Sequence, residues 1–189
     1  MNVYDFDGTI YRGDSSIDFI RFVIKKKPTA MKRLPGIIKG SLQYAFGKID
    51  KKAFKERFFS FLDMIDGEAY AELFWNEHSD RICNWYRMQQ QEDDVVISAS
   101  PEFLLAPACR KLEIRNLIAS DVDIHTGKFR SDNCKGEEKV RRFREKYPDE
   151  KIERFYSDSE SDLPLAREAE KAFMIQNGII REWNYAGKQ

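Results

Sequence analysis

Two carboxylates lie two residues apart, Asp5 and Asp7, in the string Asp5-Phe6-Asp7-Gly8-Thr9-Ile10 that follows the apolar pair Val3-Tyr4. In a strand, residues i and i+2 share a face, so both side chains address one small volume beyond the strand's carboxyl end. Ligands of open α/β sheets bind in that place. Gly8 permits a sharp turn and lets the backbone come close to an anion. One carboxylate as nucleophile, a second for proton transfer and a tight turn between them suit a reaction that passes through an aspartyl-phosphate. Taken alone, Asp-x-Asp is a strand end running into an Asx turn, with no chemistry required.

Three further strings follow in order. The apolar run Val95-Val96-Ile97 ends in Ser98-Ala99-Ser100-Pro101. Ser98 offers a hydroxyl and Ala99 a backbone N–H, which together make a phosphate cradle where Pro101 begins a helix. Asn133-Cys134-Lys135-Gly136-Glu137-Glu138-Lys139-Val140 sets two lysines at the start of a helix. Phe155-Tyr156-Ser157-Asp158-Ser159-Glu160-Ser161-Asp162-Leu163-Pro164 again ends a strand with carboxylates, now four residues apart. Hard oxygen ligands at neighbouring strand ends suit Mg²⁺.

The order of these four strings resembles that of the haloacid dehalogenase superfamily of phosphatases, over essentially the whole chain. The resemblance implies a Rossmann-like parallel sheet wrapped by helices, with an all-α cap inserted after the first motif, as in the phosphoserine-phosphatase-like subgroup. It implies Asp5 as nucleophile and Asp7 as acid/base whose carbonyl also meets the metal. Gly8, Ser98 and Ala99 would surround the phosphate. Asp158 is implied as a third ligand of Mg²⁺, with Asp162 completing or supporting the site. Ser157 stands where the family often has Gly before this Asp, and a small residue is retained. For the lysine, Asn-Cys-x-Gly-x-x-Lys points to Lys139 and a Lys-Gly-Glu alignment to Lys135, with Lys139 preferred. The activity implied is Mg²⁺-dependent hydrolysis of a small phosphate ester. A phospholipid head-group phosphatase at an anionic membrane surface, a phosphotransferase and a binding protein with a relict site are the other readings.

These motifs need elements to hold them. Sheet signals stop after Ile10 and resume near Asp94, isolating residues 13–91, which read helical; residues 1–12 with 92–189 then form the α/β core. Ile17, Phe19, Ile20, Val23 and Ile24 recur at helical spacing behind Ser15-Ser16 and stop at Pro28. Helices are expected over 29–46, broken or delayed by Pro35-Gly36, from Asp50 with Phe54, Phe58, Phe61 and Leu62 on one face, and over 68–89. Such aromatics are expected to be core. Beyond the insertion, the expectation is a helix over 102–112, a strand at 117–119, a hairpin over 122–129, a helix over 139–147, a strand at 152–156, a helix over 162–170 and a last strand at 172–175. His125, in the hairpin, is expected to face solvent. Alternating strands and helices imply a parallel sheet.

With 189 residues, 42% of them hydrophobic and 14 of them Phe, the chain has the material for a compact core. Lys+Arg and Asp+Glu balance at 32 each, which gives no bias toward nucleic acid. Cys83, Cys109 and Cys134 show no paired metal spacing and fit reduced thiols. A strand from residue 2 leaves no room for an export signal, so the expected location is the cytoplasm. Residues 21–55 are basic, with Asp50 the sole acid, and interleave apolar residues from Phe22 to Phe46. This pattern is either a solvated helix surface or a peripheral contact with an anionic membrane. Oligomeric state leaves no trace in the sequence.

Overall fold

The computed structural model describes residues 1–184. Its centre is a six-stranded sheet in the order β3-β2-β1-β4-β5-β6, formed by β1 (Asn2–Tyr4), β2 (Val95–Pro101), β3 (Asn116–Ser120), β4 (Ile152–Ser157), β5 (Ala169–Gln176) and β6 (Ile179–Glu182). The first five pair in parallel and β6 is antiparallel. Between β1 and β2 lie α1 (Ser15–Lys26), α2 (Leu34–Ala45), α3 (Lys51–Phe58), α4 (Gly67–His78) and α5 (Asn84–Gln89); after β2 come α6 (Glu102–Lys111), α7 (Glu137–Lys146) and α8 (Leu163–Ala166).

Val3-Tyr4, Val95-Val96-Ile97 and Phe155-Tyr156 are apolar on both faces of the central strands because helices cover both faces there. Side chains alternate between two buried clusters: Val3, Val95, Ile97 and Phe155 pack toward Phe143 and Leu165, while Tyr4, Val96 and Tyr156 pack toward Phe19, Phe74, Trp75 and Tyr86. Part of the insertion therefore shares one core with the sheet. Trp75 seals it by donating its Nε1 hydrogen to the Leu104 carbonyl at 2.6 Å. Helices α2 and α3 pack on each other. The start of the 3-10 turn Phe59–Met64 after α3 meets the loop at Gly127. Gly127 has φ +72° and lies against the Phe59 backbone, so a Cβ there would collide with main chain.

Several local expectations yield to longer-range pairing. Asp14, not Ser15 or Ser16, caps α1 by accepting from the Ile17 amide at 3.0 Å. Pro35 and Gly36 lie in the first turn of α2, where proline costs no hydrogen bond, so the α-helix is delayed to Leu34 and not broken. The stretch 68–89 is two helices because Ile82 bridges Tyr11 and Cys83 donates its amide to the Ile10 carbonyl, which needs extended chain. Over 122–129 there is a single bridge, Val122 to Phe129, and Asp123 Oδ1 instead collects the amides of His125 and Thr126 and the Thr126 hydroxyl. His125 is exposed.

The helix expected at 162–170 is only the short α8, since β5 already pairs with β4 from Ala169. Its Ala, Glu and Lys favour helix, and sheet pairing overrides that preference. Strand β6 was not expected. Asn177 and Gly178 both take positive φ, 53° and 76°, in the Asn-Gly turn that joins it to β5.

Candidate active site

Register sets the site. Tyr4 pairs with Val96 on one side and Tyr156 on the other, so the residues following β1 lie beside those ending β2 and β4. Asp5, Asp7, Ser98, Ala99 and Asp158 consequently line one pocket of about 500 Å³, with Lys139 and Asp162 at its inner wall. All seven candidates drawn from the motifs meet there, as does Gly8.

Asp5 is buried and accepts from Lys139 Nζ at 2.7 Å. Lys139, also buried, extends its second hydrogen bond to Asp162 Oδ2 at 2.7 Å, and the Ser157 hydroxyl donates to that oxygen at 2.9 Å. Burial favours the neutral amine, yet the two carboxylates more than offset it and hold Lys139 charged. Burial pushes Asp5 up to about 7, with the Lys139 charge opposing and the Asp162 charge adding to the rise. Lys135 lines the same pocket but nearer the opening, beside Lys51. The geometry thus puts Lys139, not Lys135, on the first carboxylate.

Asp7 is held by elements the sequence did not single out. Its Oδ1 accepts the Ser15 amide at 2.7 Å, and its Oδ2 accepts the Ser100 hydroxyl. The N-terminus of α1 therefore points at this carboxylate, as helix termini favour. Burial, then the nearby Asp14 charge, raises Asp7 to about 6 against these hydrogen bonds. That value leaves it able both to give and to take a proton near neutrality. Ser100 was legible in principle as a second hydroxyl in the string that carries Ser98.

Ser98 is buried, and its oxygen accepts the Ser100 amide at 3.1 Å, which leaves the hydroxyl hydrogen to donate. The Ala99 carbonyl accepts from Lys55 Nζ at 2.8 Å and from the Ser120 hydroxyl at 3.0 Å. Gly8, at φ +70°, donates its amide to the Gly13 carbonyl at 2.9 Å. What Gly8 gives the pocket is space, because a Cβ there would overlap the Asp158 carboxylate.

Phe54 and Phe58, expected as core, form with Phe59 an apolar wall of the pocket, and Lys51 and Lys55 from α3 join Lys135 beside them. Lys55 also donates to Asn133 Oδ1 at 2.6 Å. Burial, then the neighbouring Lys135 charge, lowers Lys51 to about 7; burial lowers Lys55 to about 8.

Among the described residues no three carboxylate, imidazole or thiol side chains gather closely enough to cage a cation. Mg²⁺ asks for less, since one or two carboxylates with substrate phosphate and water suffice. Asp5 and Asp158 provide hard oxygens on one pocket, so the residues fit that ion. Asp162 is committed to Lys139 and Ser157 and supports from behind.

Replacing Asp7 by Asn keeps both hydrogen bonds, because the amide oxygen still accepts from Ser15 and its NH₂ donates to Ser100. The raised pKa means ionising Asp7 costs folding free energy, starting at its ordinary 3.8 and complete above about 6. Metal-free Asp7→Asn protein should therefore melt a few degrees higher than wild type at pH 8 and alike near pH 3.5, by calorimetry. Equal melting at both pH values would show that Asp7 is not strained by burial.

The family model of haloacid dehalogenase-like hydrolases matches residues 3–167. No curated protein matches the chain. Among solved structures, a protein of unknown function from Bordetella pertussis Tohama I is similar at TM-score 0.74 and 19% identity, covering 91% of this chain and 87% of that one. A phosphoserine phosphohydrolase-like protein from Francisella tularensis gives TM-score 0.59 at 17% identity, covering 95% and 89%. A phosphoserine phosphatase solved as a phospho-aspartyl intermediate analogue gives TM-score 0.51 at 15% identity, covering 90% and 83%.

Proposed function

Since this chain belongs to the haloacid dehalogenase-like hydrolases, we propose that it is a Mg²⁺-dependent phosphomonoester hydrolase that works through an aspartyl-phosphate on Asp5. The observation that carries this reading is the pairing in one pocket of a lysine-bound carboxylate, Asp5, with a second carboxylate tuned to about 6, Asp7. Two of the similar folds carry phosphoserine phosphatase names, so phosphate esters are the first class to assay.

Asp5 attacks phosphorus in line with the ester oxygen, and protonated Asp7 delivers its proton to that oxygen as it departs. The resulting Asp7 carboxylate takes a proton from water, whose oxygen attacks phosphorus and frees Asp5. Lys139 holds Asp5 in place and, with the Ser98 hydroxyl, offsets charge on the transferring phosphoryl group. Asp5, Asp158 and the Asp7 carbonyl would hold Mg²⁺, which would supply positive charge that reduces repulsion between carboxylate and phosphate. Residues 13–91 form the cap in this reading, and α3 with its three-phenylalanine wall limits water at the pocket.

Two measurements test it. Chelation should reduce turnover to background, Mg²⁺ should restore it and Ca²⁺ should not, because a larger ion accepts more oxygens and engages Asp5 away from the in-line path. Full activity after exhaustive chelation would overturn the metal assignment. Secondly, burial raises the Asp7 carboxyl to about 6, so kcat/KM for an alkyl phosphate should decline on the alkaline side as the proton it donates is lost. With a nitrophenyl ester, whose leaving oxygen needs no proton, the alkaline limb should flatten. An identical limb for both esters would remove Asp7 as the acid.

A further inference from the structure

Helix α2 is a surface helix with one charged residue, Lys39, in twelve. Its inner face is satisfied: Ile37 is buried, and Gly40 lies against the Arg57 side chain of α3. Its outer face is apolar and exposed. Ile38 is 58% exposed, Leu42 55% and Phe46, just past the helix, 75%, at positions i, i+4 and i+8 of one stripe. Met31, 52% exposed in the turn before α2, extends it. Around this stripe the charge has one sign. Residues 25–52 hold nine Lys and Arg against Asp50 alone. Arg33 pairs with Asp63 and Lys26 with Glu77, whereas Lys25, Lys32, Lys39 and Lys48 are exposed and form no ion pair among the described residues.

We infer that residues 28–48 dock on the surface of an anionic lipid bilayer, the apolar stripe entering the headgroup boundary and the lysines meeting lipid phosphates. An apolar face rimmed by cations on one short convex helix is the interfacial pattern. A second copy of the chain suits it poorly, because a two-fold contact would bring the same lysines face to face. Among the described residues no helix is long and apolar enough to cross a bilayer, and the contact inferred is peripheral. The docking face adjoins the pocket: Tyr44 of α2 stacks on Phe54 of the pocket wall with ring centroids 5.1 Å apart. Resting on the hydrolase reading above, the substrate is then a lipid-borne phosphomonoester, with Lys51, Lys55 and Lys135 facing its anionic head.

Co-sedimentation with vesicles tests the docking apart from catalysis. Full-length protein, wild type and Asp5→Asn, should sediment with vesicles of phosphatidylcholine and phosphatidylglycerol and not with phosphatidylcholine alone. Binding should collapse between about 0.05 M and about 0.5 M salt. Ile38→Ser/Leu42→Ser/Phe46→Ser should lower partitioning at least about tenfold. Replacing Lys25, Lys32, Lys39 and Lys48 by Gln should lower it about fivefold for each lysine. Both sets should hydrolyse a soluble ester like wild type and lose rate only on a phosphomonoester lipid in those vesicles. Equal binding to neutral and anionic vesicles, unaltered binding by both variants, or a wild-type dimer that the triple-serine variant abolishes while vesicles are ignored would each overturn the docking. Vesicle binding without activity on any ester would instead sink the hydrolase reading alone.

Discussion

Asp5→Asn is expected to remove turnover, with a loss of at least about 10⁴-fold, as deletion of a covalent nucleophile generally gives. The amide oxygen can still accept from Lys139, and Lys139 keeps its second carboxylate at Asp162. The fold should therefore survive. Burial already pushes Asp5 up to about 7, so a neutral isostere relieves a cost above that pH, and the metal-free variant should melt no lower than wild type at pH 8. Acid-quenched wild type caught during turnover should carry a phosphoryl adduct of 80 Da in the amino-terminal peptide, and the variant should carry none. A folded Asp5→Asn protein that hydrolyses esters at the wild-type rate would eliminate the proposed nucleophile.

Lys139→Met is expected to be nearly as damaging, and in two ways at once. Losing the cation beside the transferring phosphoryl group should lower kcat/KM by about 10²–10³-fold. The same change leaves Asp5 and Asp162 buried without their shared partner, 2.7 Å from an ammonium that is gone. Removing one member of a buried ion cluster typically costs about 3–5 kcal/mol. The sign with pH follows from Asp5, whose burial-driven rise the lysine charge opposes: without the lysine it rises further, so the loss grows as pH increases above its unfolded range and shrinks near pH 4, where Asp5 takes up its proton. Lys135→Met, at the half-exposed pocket rim, should leave stability nearly unchanged. Denaturant unfolding at pH 4 and pH 8 separates the two lysines, and equal effects of both substitutions would contradict the buried triad.

Both substitutions bear on a distinction the motifs left open. Lys135 and Lys139 sit four residues apart at one helix start, and either fits a lysine-bearing third motif. The choice falls out of packing: α7 begins after Gly136, which takes φ +61°, and presents Lys139 with Phe143 on its buried side. Lys135 precedes the helix and turns toward Lys51.

The amino-acid sequence by itself determined the parallel α/β architecture, the helical insertion and the carboxylates at the strand ends, because each follows from short-range patterns. Val3-Tyr4, Val95-Val96-Ile97 and Phe155-Tyr156 are apolar on both faces, which only a covered central strand accommodates. Residues just past such strands must meet at the carboxyl edge, so Asp5, Ser98 and Asp158 were readable together. Tertiary structure alone decided what surrounds them. The Ser15 amide reaches Asp7 because α1 starts where the first turn ends, and Lys51, Lys55 and the Phe54–Phe59 wall enter the pocket because α3 folds back over β2. These contacts join residues 8 to 44 apart, a separation over which helical periodicity carries no orientation. The same limit shortened α8: a stretch rich in Ala, Glu and Lys favours helix locally, and pairing with a strand already in place outweighs the few tenths of a kcal/mol per residue that such preference amounts to.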